Sequence, residues 1–182
     1  QPVRNLIGAN MSFRRPVFAA GGFNHAIGRV GNFPAGGEET EFSIRVRQQA
    51  PLGKLLYVPE ARVHHRVPEA RGRWSYFASR CYAEGQSKAL VAHLVGVQDG
   101  LDSERAYALR TLPRGVLRGI GEALRGDLHG LQRALAIAAG FGLTATGYLI
   151  GRLRLLAAGR TLPQTGGPAP QQIRDESSVS SG

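Results

Sequence analysis

Gly31-Asn32-Phe33-Pro34-Ala35-Gly36-Gly37-Glu38-Glu39-Thr40-Glu41-Phe42-Ser43-Ile44-Arg45 sets a glycine-rich loop against three carboxylates within four positions, and its reading decides the fold. Acidic side chains suit the start of a helix, where the backbone N–H groups are free and the macrodipole is positive. Phe42 and Val46 then lie four apart, with Arg45 and Gln49 on another face, which predicts a helix over 38–49. Upstream, residues 5–13 read as a strand ending at Arg14-Arg15-Pro16. Pro16 suits the first turn of a short helix that Gly21-Gly22 stops, and residues 24–37 form a long loop. Downstream, 55–58 and 62–67 are strand-like, split by a turn at Pro59-Glu60. Residues 1–72 therefore read as α/β.

From Trp74 the texture turns helical. Trp74, Phe77, Cys81 and Tyr82 fall at helical spacing, and Asp99-Gly100 reads as a break. Asp102 or Ser103 can cap the next helix, and Pro113 interrupts it. Residues 73–126 thus form amphipathic basic helices. Within 127–160, residues 134–151 carry no charge, and their large apolar side chains are spread around the helix. Such a helix lies in a core or in a membrane. Its length is near the lower limit for a span, and Gly147 and Gly151 would permit a second helix to approach closely. Residues 161–182, rich in Pro, Gly, Gln and Ser, read as a disordered tail.

The 182 residues suffice for one ordinary domain, and 42% hydrophobic content allows a core. The opening at Gln1, with neither Met nor signal peptide, reads as a piece of something longer. The net charge is +10, and all 23 basic residues but Lys54 and Lys88 are Arg. That balance favours phosphates, in nucleic acid, anionic lipid or a pyrophosphate-bearing substrate. An Ala-, Gly- and Arg-rich composition fits a GC-rich bacterial genome. The single Cys81 excludes an internal disulfide and a cysteine-based zinc site.

Each candidate also has a plain structural reading. The glutamates also suit the helix dipole alone, and Glu41 with Arg45 makes an ordinary i, i+4 ion pair. His64 and His65, adjacent in a strand, point to opposite faces, so one at most shares a site with the glutamates. Trp74, Tyr76, Phe77 and Tyr82 read as packing residues, and Arg66, Arg71, Arg73 and Arg80 as a solvated face or a phosphate site.

Four segments in order carry a resemblance: Gly8-Ala9-Asn10-Met11-Ser12-Phe13-Arg14-Arg15, Gly21-Gly22-Phe23-Asn24, Gly37-Glu38-Glu39-Thr40-Glu41-Phe42 with Arg45, and Val63-His64-His65. Together, over roughly residues 4–90, they resemble the C-terminal half of the family 2 inverting glycosyltransferases with a GT-A fold. The resemblance implies an α/β fold, a truncated nucleotide-diphospho-sugar transferase, followed by a C-terminal all-helical extension. It implies that Ala9 and Asn10 contact the donor sugar, with Gly36 and Gly37 as further substrate-binding candidates. It gives the role of base to Glu39, where the family usually has Asp, or to Glu38 by a shift in geometry. It sets His64, or else His65, near a divalent cation (Mg or Mn) held mainly by an N-terminal half that this chain lacks. No Asp-x-Asp occurs in the sequence, so the fragment alone should be inactive.

The implied partners are a nucleotide-sugar donor, a glycan or lipid-linked acceptor and an anionic membrane surface. The implied place is the cytoplasmic face of a membrane, peripheral or with one C-terminal helix. The rival reading is a non-catalytic basic module for membrane or nucleic acid, supported by charge alone.

Overall fold

The computed structural model describes residues 1–28 and 34–159. Five α-helices dominate it: α1 (Glu38–Gln49), α2 (Trp74–Val95), α3 (Val97–Ala106), α4 (Leu112–Leu124) and α5 (Leu128–Gly159). A π-helical turn, Tyr107–Thr111, joins α3 to α4, and 3-10 turns occupy Arg15–Ala20 and Glu69–Gly72.

The α/β expectation is overturned: no sheet exists among the described residues. The segments expected as strands, 5–13, 55–58 and 62–67, are not paired as strands. One isolated antiparallel bridge joins Pro2 and Leu56, with Val3 N–H donating to the Leu55 carbonyl at 2.9 Å. The physical reason lies in pairing. A strand is held by neighbours that take its N–H and C=O groups, and these residues supply a neighbour only at 1–3 and 55–57. Leu56 and Val67, apolar enough for a sheet interior, stay 53% and 60% exposed. A truncated nucleotide-diphospho-sugar transferase sheet is therefore not what this chain forms.

The helical expectations fare better. Helix α1 matches the expected 38–49. It packs on α2 through Ile44 against Val91 and Val95, with Ile27 closing the cluster. Gln48 Nε2 fastens the junction, donating to the Val95 carbonyl at 2.8 Å and to Asp99 Oδ2 at 2.7 Å. The break falls at Gly96 (φ 92°), not at Asp99-Gly100, which lies inside α3. A Cβ at Gly100 would come 2.9 Å from Ala92 Cα, so the missing side chain lets α3 fold back on α2. Pro113 stands in the first turn of α4, directly after the π-helical turn, and the backbone stays helical across that junction (Thr111 φ −83°, ψ −47°).

Helices α2 and α5 run side by side in the same direction. Gly140 faces Phe77, Gly147 faces the Tyr82 carbonyl, and Gly151 faces Gln86 and Ala89. Helices α4 and α5 form an antiparallel hairpin, with Gly119 against Gly130 and Gly115 against Ile137. Gly126 (φ 94°) makes the turn, and Arg133 locks it by pairing with Glu122 and, at 3.0 Å, with Asp127. The uncharged 134–151 run is thus the middle of a longer helix, packed on two of its sides among the described residues. The expected tail, 161–182, lies outside the described residues, as does part of the glycine-rich loop, 29–33.

Candidate functional site

The helix start after the glycine-rich loop gathers most of the candidate residues. Gly37 (φ 101°) precedes α1 in the left-handed region and offers no side-chain cap, so the three glutamates of the first turn provide the negative charge there. They do not share one fate. Glu41 turns inward, 2% exposed, and pairs with Arg45 Nε at 2.6 Å. Glu38 and Glu39 are half-buried, and each has a buried carboxylate oxygen, Oε2, with no hydrogen-bond partner among the described residues. Buried acceptors are nearly always satisfied, because a desolvated oxygen without a donor costs free energy. Two adjacent exceptions mark a place where a donor from outside would be welcome.

Two glycines stand beside these groups, and at Gly28 the missing side chain lets the backbone crowd Glu38. A Cβ at Gly28 would lie 3.2 Å from Glu38 Oε2, and one at Gly8 would lie 3.7 Å from Glu39 Oε1. Gly8 brings with it Ala9 and Asn10, both exposed, and Asn10 Nδ2 donates to the Ala61 carbonyl at 2.5 Å. Asn10 also borders a groove of about 840 Å³ that carries Arg14, Arg47 and Lys54 and no carboxylate. The segment around Gly8 thus has a carboxylate beside it and a basic groove next to it.

Gly36 and Gly37 sit against α2. Gly36 N–H donates to Ser87 Oγ at 3.3 Å, and Gly37 abuts Val91. Arg80 reaches the same loop: its Nη1 donates to the Pro34 carbonyl at 2.5 Å, while its Nη2 pairs with Glu84 at 2.9 Å. The sequence alone reads Arg80 as part of a solvated face or a phosphate site, and its i, i+4 spacing to Glu84 gives no hint of the loop contact.

An aromatic cluster holds the other side. Phe42 is fully buried, with the rings of Phe23 and Phe13 centred 4.7 and 4.9 Å away and that of Phe18 at 5.5 Å. The Arg45 guanidinium lies 5.1 Å from the Phe42 ring centre and donates to the Gly22 carbonyl at 2.7 Å. Glu41 and Arg45 therefore fix the Gly21-Gly22-Phe23 loop. Phe13, Phe18 and Phe23 recur every five residues, the period of neither a helix nor a strand, so sequence pattern gives no sign of the cluster.

His64 and His65 are both exposed. Among the described residues, no group of three or more His, Cys, Asp or Glu side chains is placed to hold a metal ion. These residues do not fit a divalent cation by themselves.

A second, apolar groove of about 670 Å³ lies between α2, the π turn and α5, lined by Phe77, Leu112, Ile137 and Phe141, and none of the candidate residues borders it. At its rim Glu104 pairs with Arg4 and Lys88, both at 3.0 Å.

No protein-family model matches the chain, and no solved structure matches it. Over 108 residues it is 32% identical to the glucosyl-dolichyl phosphate glucuronosyltransferase of Haloferax volcanii. That stretch is 59% of this chain and 34% of the relative, so the chain spans about a third of the length of the curated protein it matches. Part of the chain is thus distantly similar to a glycosyltransferase named for a lipid-linked sugar acceptor.

Proposed function

We propose that this chain forms the acceptor-side part of an inverting, family 2 type glycosyltransferase that moves a sugar from a nucleotide-sugar donor to a lipid-linked sugar. The observation that carries the reading is the pair of buried carboxylate oxygens on Glu38 and Glu39 that have no partner among the described residues. They stand at a helix start beside loops that glycines bring close. The distant relative, named for a lipid-linked acceptor, agrees with the substrate class.

The chemistry asks for such a group. A sugar hydroxyl is a weak nucleophile, and a positioned carboxylate takes its proton as the new bond forms. In this reading Glu39 accepts that proton, the acceptor oxygen bonds to the anomeric carbon, and the bond to the nucleoside diphosphate breaks on the opposite face. Glu38 is the alternative base. Ala9 and Asn10, with Gly36 and Gly37, would border the substrates. The cations of the groove, Arg14, Arg47 and Lys54, would favour the charge that leaves. A divalent cation, Mg or Mn, remains a proposal for a longer protein. The donor set assembled here does not hold one, and no step above runs through it.

The test is sugar transfer by the full-length protein with Glu39→Gln and Glu38→Gln. Glu39→Gln should lower kcat by about 10²-fold or more with donor binding intact, the usual worth of a general base. Near-normal turnover for Glu39→Gln with a collapse for Glu38→Gln would reassign the base. Near-normal turnover in both removes this site from the reaction.

A further inference from the structure

We propose that the apolar groove between α2, the π turn and α5 seats the apolar chain of the lipid-linked acceptor, with the acceptor's phosphate at the end bordered by Lys88 and Glu104. This site rests on the acceptor class of the proposed function and gives its lipid a place. The groove, about 670 Å³, is of the size that small-molecule sites have, roughly 300–1,000 Å³. It is long instead of round. Along α2 it is bordered by Phe77, Cys81, Glu84 and Lys88, spaced by three and four residues, so it follows one face of the helix for about 16 Å.

Its two ends differ. Phe77, Leu112, Ile137 and Phe141 line the first. Gly140 of α5 gives Phe77 room there, since a Cβ would lie 2.9 Å from its ring. By length and composition, Leu128–Ala158 of α5 is also long and apolar enough to cross a membrane, so this wall suits the medium a lipid acceptor comes from. At the second end stand Glu84, Lys88 and Glu104. Lys88 pairs with Glu84 at 3.2 Å and with Glu104 at 3.0 Å. Arg80 holds Glu84 at 2.9 Å, and Arg4 holds both oxygens of Glu104 at 3.0 Å. Three cations thus meet two carboxylates, which leaves one positive charge among the described residues. A phosphodiester between lipid and sugar carries one negative charge, and such donors bind it well.

The charged end also adjoins the carboxylates of α1. Ser87, next to Lys88, takes the Gly36 N–H, and Gly37 abuts Val91 one turn further on. Glu38 follows Gly37 directly. On the other flank, Arg4 leads to Gly8, where a Cβ would lie 3.7 Å from Glu39 Oε1. Those four residues extend by at most about 14 Å. Apolar wall, surplus positive charge and carboxylates therefore follow one another in the order of a lipid-linked sugar: chain, phosphate, sugar.

Cys81 lines the groove and is the one cysteine of the chain, so its alkylation by N-ethylmaleimide reports the occupant. The full chain is treated with farnesyl phosphate below its micelle concentration. Saturating farnesyl phosphate should slow alkylation at least about tenfold, because only the empty groove reacts; no slowing overturns the proposal. Farnesol, without the charge, should need several-fold more for the same protection, and equal potency overturns the phosphate end. Dihexanoylphosphatidylglycerol, with two chains, should protect poorly, and protection equal to that by farnesyl phosphate overturns the acceptor assignment in favour of a general lipid surface. Leu153→Cys in a Cys81→Ser background, exposed on α5 outside the groove, should react alike with and without farnesyl phosphate. Protection there equal to that at Cys81 means that the lipid coats the protein, and overturns the groove as its site. Glu39→Gln should leave Cys81 protected. Normal sugar transfer by Glu39→Gln removes the base and leaves this site standing, whereas an unprotected Cys81 removes this site and leaves the base standing.

Discussion

Arg45 and Glu41 show what one residue pair can hold. The Glu41 carboxylate is buried and meets Arg45 at 2.6 and 3.2 Å, while the same guanidinium grips the Gly22 carbonyl. Removing one partner strands a buried charge, which costs about 3–5 kcal/mol. Arg45→Met should therefore destabilise the protein by that order in urea denaturation, and the double variant Arg45→Met, Glu41→Leu should recover a large part of the loss. Glu104 makes a pH prediction. Burial by itself would raise its pKa, but hydrogen bonds and charge from Arg4 and Lys88 outweigh that and lower it to about 2. The folded pKa is depressed, so the stabilisation is present above the ordinary value of 4.5 and lost as pH falls through about 2. Wild-type stability should fall across that window, and Glu104→Gln should flatten the fall; equal slopes in both would mean Glu104 titrates alike folded and unfolded.

Helix on helix, the controlling feature is absent side chains. A Cβ at Gly85 would fall against the Thr144 carbonyl, and one at Gly147 against the Tyr82 carbonyl, nearer than unbonded atoms can sit. Gly85→Ala or Gly147→Ala should push α2 and α5 apart and cost at least about 1–3 kcal/mol. Gly142→Ala, with open space beside it, should instead stabilise by about 0.5–1 kcal/mol, because alanine is the better helix former. Calorimetric melting separates the two, and a loss at Gly142 equal to that at Gly85 would deny the close packing. This packing also shows what sequence could reveal. The pair Gly147 and Gly151 was legible as a place of close approach, and 38–49 as a helix, because both follow the helical period. The helix break at Gly96 was not legible, since it depends on Gly100 meeting Ala92 in space. The four-ring cluster around Phe42 was hidden for the same reason: its members come from a coil, a 3-10 turn, a loop and a helix.

Taken whole, the molecule divides by how its backbone is satisfied. Helices α2 and α5 close their own backbone hydrogen bonds and pack along each other. Residues 55–58 and 62–67 are strand-like in sequence, and with 5–13 and the family resemblance they carry the reading of an α/β half. A strand-like run still depends on neighbours to become a sheet, and among the described residues only the bridge at Pro2 and Leu56 supplies one. The backbone amides of residues 62–67 donate no backbone hydrogen bond to another described residue. Amide exchange should read this division directly. Amides in 62–67 should exchange at nearly the rate of an unstructured chain, and those in the middle of α2 and α5 only on global opening, protected by a factor of roughly 10³ or more for a stability of about 5 kcal/mol. Trypsin should follow the same order, cutting at the exposed Arg62, Arg66 and Arg73 before Arg80 or Arg133. Protection across 62–67 comparable to that in α5 would mean that these residues find strand partners in solution, and the all-helical description would then give way to a sheet.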